Sequence, residues 1–184
     1  MSLLARPLTY DDLRQMPDDR NRYEIIGGEL IVSPSPSRSH QTLAYRLSKL
    51  IGSHVDARML GQVFFAPVDV RLSPHSVVQP DLLFIRQDRL DIFGPTGPVE
   101  GAPDLVVEIV SPSSRVMDRV RKAALYADSG VPEYWLVDPE ERTFALLVLD
   151  DGQYVPVDAD AGHVASTVIP GLVVDPDALF AGLD

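Results

Sequence analysis

Two acidic residues that lie within apolar segments are the positions of this chain best suited to do chemistry. Glu108 interrupts the apolar run 105–110, and Asp81 stands directly before the apolar run 82–85. Both runs are short and rich in valine, leucine and isoleucine, which is typical of strands in a sheet. An unpaired carboxylate buried in a sheet costs several kcal/mol or shifts its pKa. If it is buried, each acid therefore needs a cationic side chain, a metal ion or a hydrogen-bond network beside it.

The spacing of the two acids allows them to meet. The chain between them is long enough to return the second run beside the first as an antiparallel partner, which would place Asp81 close to Glu108. Two carboxylates in an apolar sheet repel each other unless one is protonated or a cation bridges them. Mg²⁺ prefers hard oxygen ligands, keeps several waters and needs only one or two carboxylates. The pair therefore predicts a Mg²⁺ site, with Mn²⁺ as a substitute.

Each acid also has an ordinary interpretation of similar weight. Glu108 would be unremarkable on a solvated strand face, with Val106 and Val110 as exposed neighbours on that face. Asp81 would be unremarkable as a polar residue that caps the start of a strand. The residues alone leave both interpretations open.

The elements that must position these acids can be predicted from local patterns. Thr9 is expected to cap a short helix, and segments 23–26 and 29–32 flank Gly27-Gly28 as a hairpin. A serine–proline loop at 33–37 precedes an amphipathic helix from Ser39 to about Val55. A second helix is expected to begin at Ser113 or Ser114 and to end at Ser129 before Gly130.

Strands dominate the rest of the prediction. They cover residues 63–72, 80–85, 104–110, 133–137, 143–149 and 153–157. Strands interleaved with two longer helices indicate an α+β or mixed α/β sheet sandwich. The length of 184 residues is most simply one domain, spanning 1–184.

Composition narrows the environment and the partners. The chain has no cysteine, no apolar stretch of about 20 residues and no signal-peptide core, which predicts a cytoplasmic protein that does not enter membranes. The net charge of -11 argues against a nucleic-acid partner. The excess of acids over bases, however, lies almost entirely after residue 130. The two predicted helices are locally basic, so a polyanion could still bind on the side of the protein where these helices lie.

Several motifs in order resemble one family. They are Tyr23-Glu24-Ile25-Ile26-Gly27-Gly28-Glu29-Leu30, His40, Pro80-Asp81, Val107-Glu108-Ile109-Val110-Ser111-Pro112-Ser113-Ser114, Asp118, Lys122, Tyr126 and Gly130-Val131-Pro132-Glu133-Tyr134-Trp135-Leu136-Val137-Asp138. This set resembles the Uma2 family of the PD-(D/E)xK restriction-endonuclease-like superfamily, over about residues 8–180. The resemblance implies a restriction-endonuclease-like central mixed β-sheet flanked by helices.

The resemblance also implies an activity and a set of site residues. The expected function is a Mg²⁺-dependent endonuclease that hydrolyses phosphodiester bonds of DNA. Asp81 and Glu108 would hold the metal, with the backbone carbonyl of Ile109 as a third ligand, and Lys122 would act in catalysis. Two further residues, Glu24 and His40, are weaker candidates for the same site. A homodimer is expected because enzymes that cut both strands often act in pairs.

One departure from the superfamily pattern keeps a second function open. The motif lysine would stand at position 110, where this chain has Val110, and its role is expected to pass to Lys122 in the following helix. The helical wheel places Lys122 opposite the apolar stripe of Val116 and Val120, where an ordinary surface pair with Asp118 is the simpler interpretation. The alternative is a catalytically degenerate module that binds nucleic acid or a protein partner.

Overall fold

The computed structural model describes residues 6–111 and 116–183, with only the backbone at position 118. The predicted helix start at Ser113 or Ser114 lies outside the described residues. The same holds for the predicted surface pair of Asp118 with Lys122, since the Asp118 side chain is not described.

Two β-sheets and one long helix make up most of the described structure. The strands are β1 Arg22–Ile26, β2 Glu29–Ser33, β3 Gly61–Phe65, β4 Val70–Ser73, β5 Ser76–Val78, β6 Leu82–Arg86, β7 Val99–Glu100, β8 Leu105–Ile109, β9 Glu133–Asp138, β10 Thr143–Asp150, β11 Gln153–Pro156, β12 Val164–Ala165 and β13 Val173–Val174. The α-helices are α1 Tyr10–Leu13, α2 Arg38–Arg58, α3 Ala123–Asp128 and α4 Pro176–Phe180. A 3₁₀ segment covers Gln87–Ile92, and a π-helical segment, Met117–Lys122, leads into α3.

The six-stranded sheet carries the two acids found in the sequence. Its strand order is β11-β10-β9-β8-β6-β3, and only β8 and β9 run parallel. Strands β6 and β8 are antiparallel, with Leu82 opposite Val107. Continuing that register by one residue places Asp81 opposite Glu108, so both side chains belong to the same face of the sheet.

The second sheet packs on that face. Its order is β2-β1-β5-β4-β7, and residues such as Val70 and Val99 meet Leu83 and Val106 of the six-stranded sheet in one apolar core. The opposite face of the six-stranded sheet is covered by α2 and the C-terminal segment. Strand β8 is thus buried on both sides, as its continuous apolar run predicts. The predicted mixed α/β fold is confirmed.

Helix α2 follows its sequence pattern closely. The Ser37 hydroxyl accepts a hydrogen bond from the N–H of His40, and the helix ends at Met59 in the left-handed conformation. Leu43, Leu47 and Ile51 form the buried stripe. The stripe fixes α2 across the sheet and leaves its polar face in solvent.

The second helical region is oriented differently from the prediction. Val116 and Val120, which were expected to form the buried stripe, are 74% and 60% exposed, whereas Lys122 and Tyr126 are buried. The π-helical backbone from 117 to 122 does not follow the 3.6-residue period on which the helical wheel depends. The wheel was therefore wrong about which side of this helix faces the protein.

The predicted strand 63–72 is also wrong, because it is two strands in different sheets. Strand β3 ends at Phe65 and β4 begins at Val70, with Pro67 between them. Proline cannot donate to a strand ladder, so the chain leaves one sheet there and enters the other. The short strands β5 and β7 were not predicted, because no clear pattern in the sequence marks them.

Within the ranges 6–111 and 116–183, no helix combines the length and the apolar character that a membrane span needs.

Candidate active site

Asp81 lies at the start of β6, where three donors surround its carboxylate. Its Oδ2 atom accepts the backbone N–H of Ile109 at 2.7 Å and lies 3.1 Å from His40 Nε2. Its Oδ1 atom accepts a hydrogen bond from the Arg22 guanidinium at 2.7 Å. The N–H of Ile109 belongs to β8, so this contact ties the strand that carries Asp81 to the strand that carries Glu108.

Glu108 is buried and does not lie on a solvated face. Its Oε1 atom accepts hydrogen bonds from Lys122 Nζ at 3.0 Å and from the Tyr126 hydroxyl at 2.7 Å. Both donors come from the helical region after β8, at positions i and i+4. The alternative of a surface pair is therefore excluded for Lys122, since only 2% of this residue is exposed and its ammonium contacts one of the two acids.

Glu24 completes the buried cluster from the other sheet. Its Oε1 atom lies 2.9 Å from Lys122 Nζ and accepts the backbone N–H of Gln79 at 2.7 Å. Lys122 thus joins the glutamates of β1 and β8, one from each sheet. The hairpin that sequence analysis predicted is what brings Glu24 to this place.

His40 and Arg22 bring further positive or polar groups to Asp81. Arg22 also donates to the carbonyl of Gln79 at 3.1 Å, which holds its guanidinium against the start of β6. His40 Nδ1 is buried and makes no hydrogen bond within the described part of the chain. The ring of His40 is thus oriented chiefly by its contact with Asp81.

The surroundings of the cluster keep the Asp81 carboxylate and the Arg22 guanidinium charged. Burial alone would raise the pKa of Asp81, but the hydrogen bond from His40, the charge of Arg22 and the N–H of Ile109 hold it well below the ordinary value. Burial would likewise lower the pKa of Arg22, but the charges of Asp81, Glu108 and Glu24 hold it above its ordinary range. The Arg22–Asp81 ion pair is therefore maintained at neutral pH.

Tyr126 stays protonated beside Glu108. Burial and the charges of Glu108 and Glu24 raise the pKa of the Tyr126 phenol well above its ordinary value. The hydroxyl is therefore a permanent hydrogen-bond donor to the carboxylate.

A cavity opens from the Asp81 side of the cluster to solvent. Its volume is about 390 Å³, and its lining includes Arg22, His40 and Asp81 together with Tyr45 and Phe65. Asp81 therefore lies at the junction between the buried charges and a space that a ligand can enter.

The donor chemistry of the cluster fits a hard divalent cation. Within the described residues, no three histidine or acidic side chains form a ready metal-binding group. Mg²⁺ needs only one or two carboxylates, however, and completes its octahedron with water. Three acids (Glu24, Asp81 and Glu108) face two fixed cations (Arg22 and Lys122), so the cluster offers carboxylate oxygens to an incoming cation.

Two residues of this cluster were missed or undervalued by sequence analysis. Arg22 was not considered, although it shares a face of β1 with Glu24 through the two-residue period of a strand. Tyr126 was noted only as part of a motif, although its i, i+4 spacing from Lys122 places both on one side of the helix. Both signals exist in the sequence, but they have meaning only once Glu108 is known to be buried.

The fold and the buried carboxylate–lysine cluster are those expected of a restriction-endonuclease-like domain. Residues 10–177 match the sequence model of a family described as "Uma2: Putative restriction endonuclease". The chain therefore belongs to the Uma2 family, as the ordered motifs predicted. This family description supports a nuclease function at the level of the family.

Two individual proteins are similar to this chain over most of its length. A crystal structure from Anabaena variabilis, described as that of "a putative nuclease belonging to DUF820", is 22% identical, has a TM-score of 0.79 and covers 97% of this chain and 100% of its own. At that identity the likeness supports the fold alone. "Uncharacterized protein slr1290" of Synechocystis sp. is 26% identical over 171 residues, which are 89% of this chain and 86% of that protein.

Proposed function

We propose that this chain is a metal-dependent endonuclease that hydrolyses phosphodiester bonds of DNA, with Mg²⁺ as cofactor and Mn²⁺ as a substitute. The observation that carries the proposal is a buried cluster in which Lys122 contacts Glu108, while Asp81 on the neighbouring strand lines an open cavity. A lysine from the helix reaches the carboxylate that the superfamily pattern would pair with a lysine at position 110, where Val110 is buried. Lys122 would thus take the role that a lysine at position 110 has in the superfamily pattern.

Asp81 and Glu108 would hold the metal from neighbouring strands, with the carbonyl of Ile109 as the third protein ligand. When bound there, the ion would supply a water of lowered pKa and would stabilise charge on the scissile phosphate. The N–H of Ile109 holds one oxygen of Asp81 in place, and Tyr126 holds one oxygen of Glu108. These contacts reduce the reorganisation that ligand binding requires.

Lys122 and Arg22 would manage the remaining charge. Lys122 is held between Glu24 and Glu108, from which its ammonium can orient a nucleophilic water or offset charge on the phosphate in the transition state. Arg22 lines the cavity beside Asp81 and would bind a phosphate oxygen with its guanidinium fork. His40 would position Asp81, since its Nε2 atom contacts that carboxylate.

The exposed face of α2 offers a route for the DNA backbone. Arg38 and Lys49 lie on this face, are exposed and form no ion pair with another described residue. Contacts from such side chains to phosphates position DNA without reading its sequence.

Nicking of a supercoiled plasmid tests the proposal. Wild type, Asp81→Asn and Glu108→Gln are compared in Mg²⁺, Mn²⁺ and EDTA, with Asp104→Asn as the matched control. Asp104 is a buried acid at the other end of β8 that pairs with Arg89, so its variant also loses a buried ion pair. We expect nicking by wild type and Asp104→Asn in either metal, and none by the two site variants.

Thermal melts accompany the assay, which is run below the melting temperature of every variant. Equal nicking by wild type and Asp81→Asn would contradict the proposal. No nicking by wild type, together with no Mg²⁺ binding in calorimetry, would favour the alternative of a degenerate module that binds nucleic acid or a protein partner. The predictions of a homodimer and of a cytoplasmic location stand beside this proposal, and light scattering of the purified protein checks the first.

A further inference from the structure

Two exposed aromatic side chains stand at the cavity beside Asp81. Tyr45 of α2 and Phe65 at the end of β3 are each 66% exposed, and both line the same cavity as Arg22, His40 and Asp81. Within the described residues, neither ring packs against another aromatic ring or a cation. The cavity thus presents two free aromatic rings and a charged floor.

The backbone holds both rings in fixed positions relative to the acidic cluster. Phe65 pairs with Leu82 in the ladder between β3 and β6, and the next residue, Ala66, donates its N–H to the carbonyl of Asp81 at 3.0 Å. Tyr45 lies five residues after His40, and Leu43 and Leu47 anchor this part of α2 in the core. The rings are therefore carried by rigid elements, and their separation from Asp81 is set by the fold.

The same face of α2 is suited to a polyanion. Arg38, Gln41, Tyr45, Ser48 and Lys49 recur at helical spacing and lie away from the buried stripe. Aromatic rings flanked by basic side chains along a groove are the arrangement with which proteins bind single-stranded nucleic acid, since bases stack on the rings and phosphates meet the charges.

We propose that this cavity binds unpaired nucleotides of a single strand, with bases stacked on Tyr45 and Phe65 and a phosphate directed at Arg22. The proposal rests on the nuclease function proposed above and names its substrate class. In a duplex the faces of each base are already stacked on neighbouring bases. Only an unpaired or extruded base can therefore offer a face to these rings.

Binding in EDTA separates this proposal from catalysis. The probes are a fluorescein-labelled single strand of about 20 nucleotides and the matching duplex, followed by fluorescence anisotropy. A single strand that contains 2-aminopurine reports stacking directly, because its fluorescence is quenched when the base stacks. The variants are Tyr45→Ala and Phe65→Ala.

Two control variants accompany them. Tyr45→Phe keeps the ring and removes only the hydroxyl. Val155→Ala trims a half-exposed apolar side chain of β11, at the opposite edge of the six-stranded sheet.

We expect wild type to bind the single strand more tightly than the duplex and to quench 2-aminopurine. Each alanine variant should bind the single strand about 5- to 100-fold more weakly, whereas Tyr45→Phe and Val155→Ala should bind like wild type. Melting temperatures should not change, because both rings are largely exposed.

Two results would overturn the proposal: equal binding of strand and duplex, or alanine variants that bind and quench like wild type. Cleavage in Mg²⁺ is scored separately. Aromatic-dependent binding without cleavage by wild type would remove the proposed catalysis and retain the stacking site. Duplex cleavage unaffected by both alanine variants would retain the catalysis and remove the stacking site.

Discussion

Strands β8 and β9 run parallel and carry a buried glutamate at each end of the pair, but the two glutamates are held in different ways. Glu108, near the end of β8, meets a lysine and a tyrosine and shares its lysine with Glu24. Glu133 opens β9, opposite Leu105, and is fully buried. In the sequence, each of these two glutamates is simply an acid beside apolar residues.

Neutral donors surround the carboxylate of Glu133. Its Oε1 atom accepts from Trp135 Nε1 and the Ser166 hydroxyl, both at 2.7 Å. Its Oε2 atom accepts from the Thr167 N–H at 2.6 Å, the Thr167 hydroxyl at 2.7 Å and the Val168 N–H at 3.3 Å. Among the described residues it has no cationic partner, and its donors join β9 to the C-terminal segment that covers the sheet.

Burial of an acid therefore does not identify an active site by itself. The charge of its hydrogen-bond partners distinguishes a structural acid from one that can take part in chemistry. Neutral donors from both side chains and the backbone satisfy Glu133 and leave no reason for a cation to enter. The acids near Asp81 are balanced by arginine and lysine side chains, which another cation can replace or supplement. One end of this pair of strands is thus suited to a structural role, and the other end is suited to chemistry.

Removal of the Glu133 carboxylate should have the largest effect on stability. Glu133→Ala leaves several buried donors without an acceptor, and each such donor costs about 1–3 kcal/mol, so we expect a loss of about 5 kcal/mol. Urea denaturation measures it, with Ser166→Ala as a control that removes one of these donors and the acceptor of the Ile169 N–H. A loss below that of Ser166→Ala would contradict the interpretation of Glu133 as a structural centre. Mg²⁺ should not restore the stability of Glu133→Ala.

Removal of the Lys122 ammonium should have the second largest effect, and here a metal should compensate. Lys122→Met leaves Glu24 and Glu108 without their shared cation, which should lower the free energy of unfolding by about 3 kcal/mol in EDTA. Mg²⁺ should then raise the melting temperature of this variant more than that of wild type, because an ion bound to the native state stabilises it. Equal responses to Mg²⁺ in both proteins would break the proposed difference between the two ends of the strands.

A smaller effect should appear in the pH dependence of folding. The pKa of Asp81 is lower in the folded protein than the value of about 3.9 expected for the unfolded chain. Its contribution to stability is therefore complete above that value and is lost as the pH falls below it towards the folded pKa. Urea denaturation of wild type and Asp81→Asn between about pH 5 and pH 3 checks this. Wild type should lose stability more steeply, and parallel curves would contradict the ion pair of Asp81 with Arg22.

Much of the scaffold could be predicted because its signals are local. The hairpin at Gly27-Gly28, the amphipathic stripe of α2 and the apolar runs of β6 and β8 each follow from neighbouring residues. Local signals failed where the backbone departed from a regular period. The π-helical turn before α3 and the change of sheet at Pro67 are the two cases.

The sequence by itself determined that Asp81 and Glu108 lie at apolar strands, where a carboxylate would need a partner if it is buried, and it identified the family through its ordered motifs. Only the tertiary structure decided which partners they have. Arg22 and Glu24 arrive from the other sheet, and Lys122 turns inward although its helical wheel predicted the surface. The physical reason is that desolvation and charge pairing depend on segments far apart in the chain, whereas periodicity reports only on neighbours. For the same reason Glu133 could not be distinguished from Glu108 until their donors were known.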